Sequence, residues 1–242
     1  MNAPLKEPGR ISRTLIRLMM KRARVAANEA IGDGYRLITL EGPELRGVDW
    51  LPGQKIQMAM GSAFVTRTYT PIDWDTDAGS TRILGYVHGM GPGSAWVAGV
   101  RPGDECDIFG PRSSLDLRRI DGPVALYGDE TSIGLAHAAM HADASRRVAC
   151  HFEVGDRVGS GMAAARLGIA AAATFHERRA DDAQLAALEE SLAAQAAAGA
   201  RFVLTGKATT IQRLRQSLKR LGVASGRIAA KAYWAPGKVG LD

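Results

Sequence analysis

Cysteine is scarce in this chain: Cys106 and Cys150 are the only two among 242 residues. They stand far apart and neither belongs to a C-x-x-C pair, which excludes a disulfide framework or a zinc knuckle and points to a reducing compartment such as the cytoplasm. No apolar run is long enough for a membrane span, and the longest near the start, residues 15–20, is broken by Arg17. An excess of acid is also missing, since Lys and Arg number 31 against 25 Asp and Glu. The resulting charge of +6 sits in residues 1–24, where Lys6, Arg10, Arg13, Arg17, Lys21, Arg22 and Arg24 face a single acid, Glu7. The remainder is balanced, so a uniformly basic, nucleic-acid-coating surface is excluded and a basic N-terminal arm on a neutral body remains. That arm is Arg-rich and acid-poor like a transit peptide, yet it runs into strand-like sequence without a break. Repeats and low-complexity linkers are absent, and the Ala-rich stretch 163–200 reads as helix surface.

What is present is enough apolar residue, 46%, for one large domain or two small ones. Residues 35–40, 55–60, 64–70 and 82–88 alternate polar with apolar side chains, as half-buried antiparallel strands do. Gly32-Asp33-Gly34, Pro52-Gly53, Asp77-Ala78-Gly79 and Pro102-Gly103 supply turns between them, so residues 1–120 read as a barrel or sandwich. After Asp121-Gly122-Pro123 the pattern changes. Strands at 124–127, 147–154, 171–175, 201–205 and 227–234 alternate with helices ending at His141 and spanning 181–198 and 209–221. The last has Ile211, Leu214, Leu218 and Leu221 on one face and Gly222 to end it. Such alternation predicts a parallel α/β domain over residues 121–242.

Three segments carry chemistry. In Arg67-Thr68-Tyr69-Thr70, the guanidinium offers a planar fork to phosphate, the aromatic two residues on shares its face, and the adjacent hydroxyl can reach a ring nitrogen. The same tetrapeptide would also suit a surface strand with a core tyrosine. His88 to Trp96 follows a strand and opens a helix near Ser94; Gly91 and Gly93 permit close backbone approach, and the first helical amides attract a pyrophosphate. No second ligand is spaced to make His88 a metal site. Gly128-Asp129-Glu130-Thr131 follows the first strand of the α/β half, where open parallel sheets bind ligands. It is neither a G-x-G-x-x-G fingerprint nor a Walker loop.

In order and spacing, these segments, with Pro52-Gly53-Gln54, Gly110-Pro111-Arg112 and the C-terminal Tyr233-Trp234, resemble the siderophore-interacting proteins, FAD-dependent ferric-siderophore reductases of the ferredoxin-reductase-like superfamily. The resemblance implies an antiparallel Greek-key β-barrel that holds FAD, followed by a parallel-sheet α/β domain for NADH or NADPH. It implies that Arg67 holds the FAD pyrophosphate with Thr68 beside it, that Tyr69 packs on the isoalloxazine and that Thr70 bonds near its reactive nitrogen. His88, Gly91, Gly93 and Ser94 would hold the phosphate and ribityl side, Asp129, Glu130 and Thr131 would face the nicotinamide, and Tyr233 and Trp234 would lie near the flavin edge. The implied substrate is a ferric siderophore, and Arg112, Lys207, Lys231 and Lys238 are candidate cations for an anionic chelate; no protein-bound metal is needed.

Two departures stand out. Relatives often read R-x-Y-T-x-R, and Ile72 replaces the second Arg; Ser113 replaces the final Gly of G-P-R-G. Losing a cation there would weaken FAD retention or remove a contact to the chelate. Lys207 stands where relatives frequently carry Glu, which would favour the extra phosphate of NADPH. Alternatives within this reading are electron delivery to a protein such as ferredoxin or to another small oxidant, and a non-catalytic module that binds chelate or nucleic acid. The expected species is a cytoplasmic monomer.

Overall fold

The computed structural model describes residues 20–60 and 66–237. Its first half is an antiparallel sheet of β1 (Lys21–Ile31), β2 (Tyr35–Glu41), β3 (Lys55–Ala59), β4 (Thr66–Tyr69), β5 (Pro71–Asp75), β6 (Ser80–Tyr86) and β7 (Glu105–Arg112). The strand order is β4-β3-β7-β1-β2-β6-β5. The two edge strands, β4 and β5, are joined by Thr70 alone. Consecutive Cα atoms lie about 3.8 Å apart, so the sheet must roll until its edges meet, and the expected barrel closes at Thr70. Alternating inward residues, among them Val25, Ile38, Leu40, Ile56, Met58, Ile83 and Ile108, fill it. A short helix, α1 (Pro92–Gly99), covers one end, where a Cβ on Gly85 would come within 2.6 Å of Val97.

The structure corrects the reading of the arm. Residues 21–24 belong to β1 and pair with Glu105 to Ile108 of β7, so part of the basic segment is built into the barrel. Residues 1–19 lie outside the described residues. β1, β5 and β7 are strands without a clean alternation in the sequence, and β1 is interrupted by a register shift between Val25 and Ala27.

The second half is a parallel sheet in the order β10-β9-β8-β11-β12, formed by β8 (Val124–Asp129), β9 (Val148–Val154), β10 (Ala173–Glu177), β11 (Arg201–Lys207) and β12 (Ile228–Trp234). Helices α2 (Ile133–His141) and α3 (Arg157–Arg166) pack on one face, α4 (Ala183–Ala197) and α5 (Ala208–Arg220) on the other. Covered on both sides, β8 is buried at every position. The Ala-rich stretch is not one element: α3, capped by Asp156, ends before Gly168 and β10 follows. Leu221, expected on the apolar face of α5, lies past its end and is exposed; Val223 is buried in that core instead. Gly222 ends the helix at a φ of 73°.

The two halves share one apolar core. Ile31, Tyr35, Leu37 and Ile72 from the barrel pack with Leu126, Ile133, Leu135, Phe152 and Ala163 of the α/β half. Ile72 lies against α2, where a Cβ on Gly134 would fall 2.9 Å from its Cγ2. Around this seam the Tyr35 hydroxyl hydrogen-bonds Ser160 at 2.7 Å, and Arg166 donates to Glu29 at 2.7 and 2.9 Å. Ile72→Ala should lower the unfolding free energy by about 2–4 kcal/mol, the cost of a core cavity. Urea denaturation would measure it, and a change within the range of a surface substitution would show that the seam is not closely packed.

Candidate active site

A cleft of about 370 Å³ opens where the rolled sheet meets the C-terminal edge of the parallel sheet. Its barrel side is built by β4: Arg67, Thr68, Tyr69 and Thr70 all line it. Being an edge strand, β4 pairs only with β3, Met58 opposite Arg67 and Ile56 opposite Tyr69. Arg67 donates to its neighbour's carbonyl, Thr66 O, at 2.8 Å, which fixes the guanidinium stem along the strand. Tyr69 packs 6.1 Å from Trp96 of α1, and burial pushes its hydroxyl well above the ordinary tyrosine pKa.

The next wall is the loop from His88 to Ser94. Ser94 accepts from the His88 amide at 3.0 Å and donates to the His88 carbonyl at 2.6 Å, a pair of bonds that closes the loop on itself. The helix starts at Pro92 rather than at Ser94, with Gly91 at the N-cap and no side chain capping its first turn. At Gly93 a Cβ would lie 3.1 Å from the Arg67 stem, which would have to shift slightly; at Gly91 nothing comes within 4 Å. His88 lines the cleft and stacks on Tyr86 at 5.6 Å. Arg67, the uncapped turn and the aromatic rings therefore surround a space of the size that holds a planar, phosphate-bearing group. These residues fit FAD.

The facing wall belongs to the second half: Thr131, Gly134, Lys231, Tyr233 and Trp234. Tyr233 is hydrogen-bonded to Thr70 across the cleft, and burial pushes its hydroxyl up to about 12. Thr131 reaches the cleft, but Asp129 and Glu130, expected to face the nicotinamide, do not. Both are buried behind the wall because their oxygens are taken by protein donors. Glu130 accepts from the Gly155 amide at 2.6 Å and from two Arg178 nitrogens at 3.1 and 3.0 Å. Arg178 also donates to Glu153 at 3.0 Å, and Glu153 accepts from Thr210 at 2.7 Å and faces Lys207 at 3.7 Å. Burial alone would weaken the charge on Arg178, yet its bonds to Glu130 and Glu153 hold its pKa above the ordinary arginine value.

The candidate chelate-binding cations separate. Lys231 lines the cleft. Lys207 is turned toward Glu153, and Arg112 lies over the Phe109 ring at 4.7 Å; neither lines the cleft. Lys238 lies outside the described residues. The sequence reading missed Lys55, Gln57, Thr66, Leu84, Tyr86, Ser114 and Gly134, which complete the lining. Tyr86 had a signal, standing two residues before His88 and thus on the same face of a strand. Among the described residues no group of His, Cys, Asp and Glu is arranged to hold a metal, and no helix is long and apolar enough to cross a membrane.

Arg178→Ala would leave two buried carboxylates without their shared cation. It should cost about 3–5 kcal/mol of stability, and Arg178→Lys should recover only part because an ammonium cannot span both acids. Chemical denaturation tests this; a loss within the roughly 1 kcal/mol of an exposed pair would show that water reaches the carboxylates.

No curated protein matches the sequence. Residues 7–115 match the family model of the siderophore-interacting FAD-binding domain. Among solved structures, a siderophore-interacting protein from Aeromonas hydrophila superposes with a TM-score of 0.74 at 22% identity, covering 91% of this chain and 93% of that one. A siderophore utilization protein from T. fusca gives 0.70 at 21%, covering 92% and 95%. Phthalate dioxygenase reductase gives 0.74 at 14%, covering 90% of this chain and 70% of that one. Residues 7–115, a stretch that includes the barrel side of the cleft, are thus similar to the siderophore-interacting FAD-binding domain, within a chain of ferredoxin-reductase-like fold.

Proposed function

We propose that this protein is an FAD-dependent reductase that draws a hydride from NADH or NADPH and passes its electrons singly to Fe(III) held by a siderophore. The supporting observation is the cleft itself, where the R-T-Y-T strand and glycine loop of an FAD-binding domain face Lys231, Tyr233 and Trp234 from the α/β half. In this reading residues 1–120 hold FAD and residues 121–242 receive the pyridine nucleotide. Bound FAD supplies the conversion of a two-electron donor into one-electron steps. NAD(P)H is oxidised to NAD(P)⁺ with release of a proton while two ferric chelates gain one electron each, and hard oxygen ligands hold the resulting Fe(II) less strongly.

The residues act by binding and orientation. Arg67 and the first amides of α1 neutralise the pyrophosphate, Tyr69 packs against the ring, and Thr70, steadied by Tyr233, presents its hydroxyl to the ring edge. Thr131 and Trp234 flank the donor's approach, and Lys231 attracts an anionic chelate. With both cysteines buried and free, the chemistry suits a reducing compartment, the cytoplasm.

The purified protein should be yellow, bleach anaerobically on addition of NADH or NADPH, and recolour when a ferric siderophore is added. Bound flavin that stays oxidised under NAD(P)H would overturn the scheme, and reduction of ferredoxin far faster than of ferric chelates would overturn the acceptor. Arg67→Ala should weaken FAD binding about ten- to a hundredfold, the worth of a charged hydrogen bond, with less effect on reduction of the flavin that remains bound. Fluorimetric FAD titration reads this directly. Lys231→Ala should raise KM for an anionic ferric chelate while leaving KM for a neutral one nearly unchanged.

A further inference from the structure

We propose that Asp129 is a positioning residue: its buried carboxylate ties Trp234 and Thr131 together across the C-terminal edge of the parallel sheet and thereby sets the wall of the cleft that faces the barrel. The effect on hydride transfer rests on the function proposed above; the tie itself does not.

Asp129 has no exposed surface, and no cation touches it among the described residues. Its charge is met by neutral donors instead. The Trp234 indole N–H donates to Oδ2 at 2.7 Å, the Thr131 amide donates to Oδ1 at 2.9 Å, and the Thr131 hydroxyl donates to the same oxygen. A buried carboxylate without a counter-ion is costly, so its retention calls for a task. Both partners line the cleft while Asp129 does not.

Two backbone features are built around this tie. On the neighbouring strand Gly206 has a φ of 93°, and a Cβ there would fall 2.3 Å from Oδ2, so only glycine leaves room for the carboxylate. Immediately beyond it the β11–β12 register shifts: Gly206 pairs with Ala232 but Lys207 pairs with Trp234, leaving Tyr233 as an extra residue. Consecutive strand residues normally point to opposite faces. A bulge breaks that alternation, which is how both Tyr233 and Trp234 reach the cleft. The bond from Trp234 to Asp129 offsets the ladder pairing that the bulge forfeits.

Only an acceptor-only group fits. An amide at position 129 would turn one NH₂ toward Trp234 or Thr131, both of which donate. Burial pushes the Asp129 carboxyl up to about 6. The titratable groups that feel its charge are Glu130 beside it, Tyr233 from β12 and Tyr35 from β2, whereas Glu153 and Lys207 on the flanking strands are paired with each other. Protonation converts one oxygen into a donor, so the hold on Trp234 loosens as pH falls through that value.

The test uses the full chain and the variants D129N, W234F and their double. Without flavin or nucleotide, Trp234 emission, taken as the wild type minus W234F, should change with a midpoint near pH 6; D129N should abolish that step. With FAD and NADPH, D129N should slow anaerobic flavin reduction on the order of tenfold, as misplaced positioning groups do, while FAD affinity stays unchanged. In the W234F background, D129N should add little. A pH-independent Trp234 emission in the wild type, or fully additive effects in the double variant, would overturn the tie. The wild-type titration stands even if D129N does not fold. Failure to take up FAD, with the emission step intact, would instead sink the proposed function.

Discussion

Closure of the barrel at Thr70 is the constraint on which the site depends. A one-residue connection between the two edge strands admits no open sheet, so the roll that satisfies it also brings Arg67, Thr68 and Tyr69 to the line where the edges meet. That line is where the second half docks: Gly134, at the start of α2, leaves room for Ile72 and lies beneath the Thr70 carbonyl, with its would-be Cβ 4.0 Å from that oxygen. Closure, docking and the cleft are therefore parts of one packing arrangement. Because the apolar core runs continuously across the seam, the cleft is bounded by two rigid walls.

The second wall is organised around two buried carboxylates, Glu130 and Glu153, met by partly exposed cations. Glu130 and Glu153 come from the ends of β8 and β9, and Arg178 from just past β10, so one guanidinium binds three adjacent strands at their C-terminal ends. Lys207 joins from β11. Such a group of two acids and two bases carries no net formal charge. Its work is mechanical, holding together the ends of β8 to β11, after the first of which Thr131 projects. The cations that line the cleft stand outside that group. Among the described residues the Lys231 side chain makes no ion pair or hydrogen bond, and the Arg67 side chain is bonded only to a neighbouring carbonyl.

The sequence made the parallel half legible almost strand by strand, because apolar runs, glycine turns and the periodicity of α5 are local signals. The R-T-Y-T strand and the glycine loop stood out equally, each being a short contiguous run of distinctive residue types, and the structure places both on the cleft. Asp129, Glu130 and Lys207 do not line the cleft, and for one reason. Their fate is decided by partners 105, 25 and 54 residues away in sequence, namely Trp234, Gly155 and Glu153. An acid in a signature loop looks like a ligand-facing group until such a partner claims it. β1 was hidden for a different reason: its register shift disturbs the alternation on which strand recognition relies, and its first residues look like a continuation of the basic arm.

The exchange of Arg for Ile at position 72 can now be weighed. Relatives often place a cation two residues past the R-x-Y-T threonine, and its loss would seem to strip the site of charge. Here the position does not face the cleft: Ile72 is buried against α2, and the space above it exists because residue 134 is glycine. A guanidinium at 72 would have to be desolvated against Ile133, Leu135 and Tyr35 or be turned out of the seam. In this chain the residue serves docking, and the two halves gain apolar contact at the point where the barrel closes. The cleft keeps cations on both walls, Lys55 and Arg67 on the barrel strands β3 and β4 and Lys231 on β12 opposite.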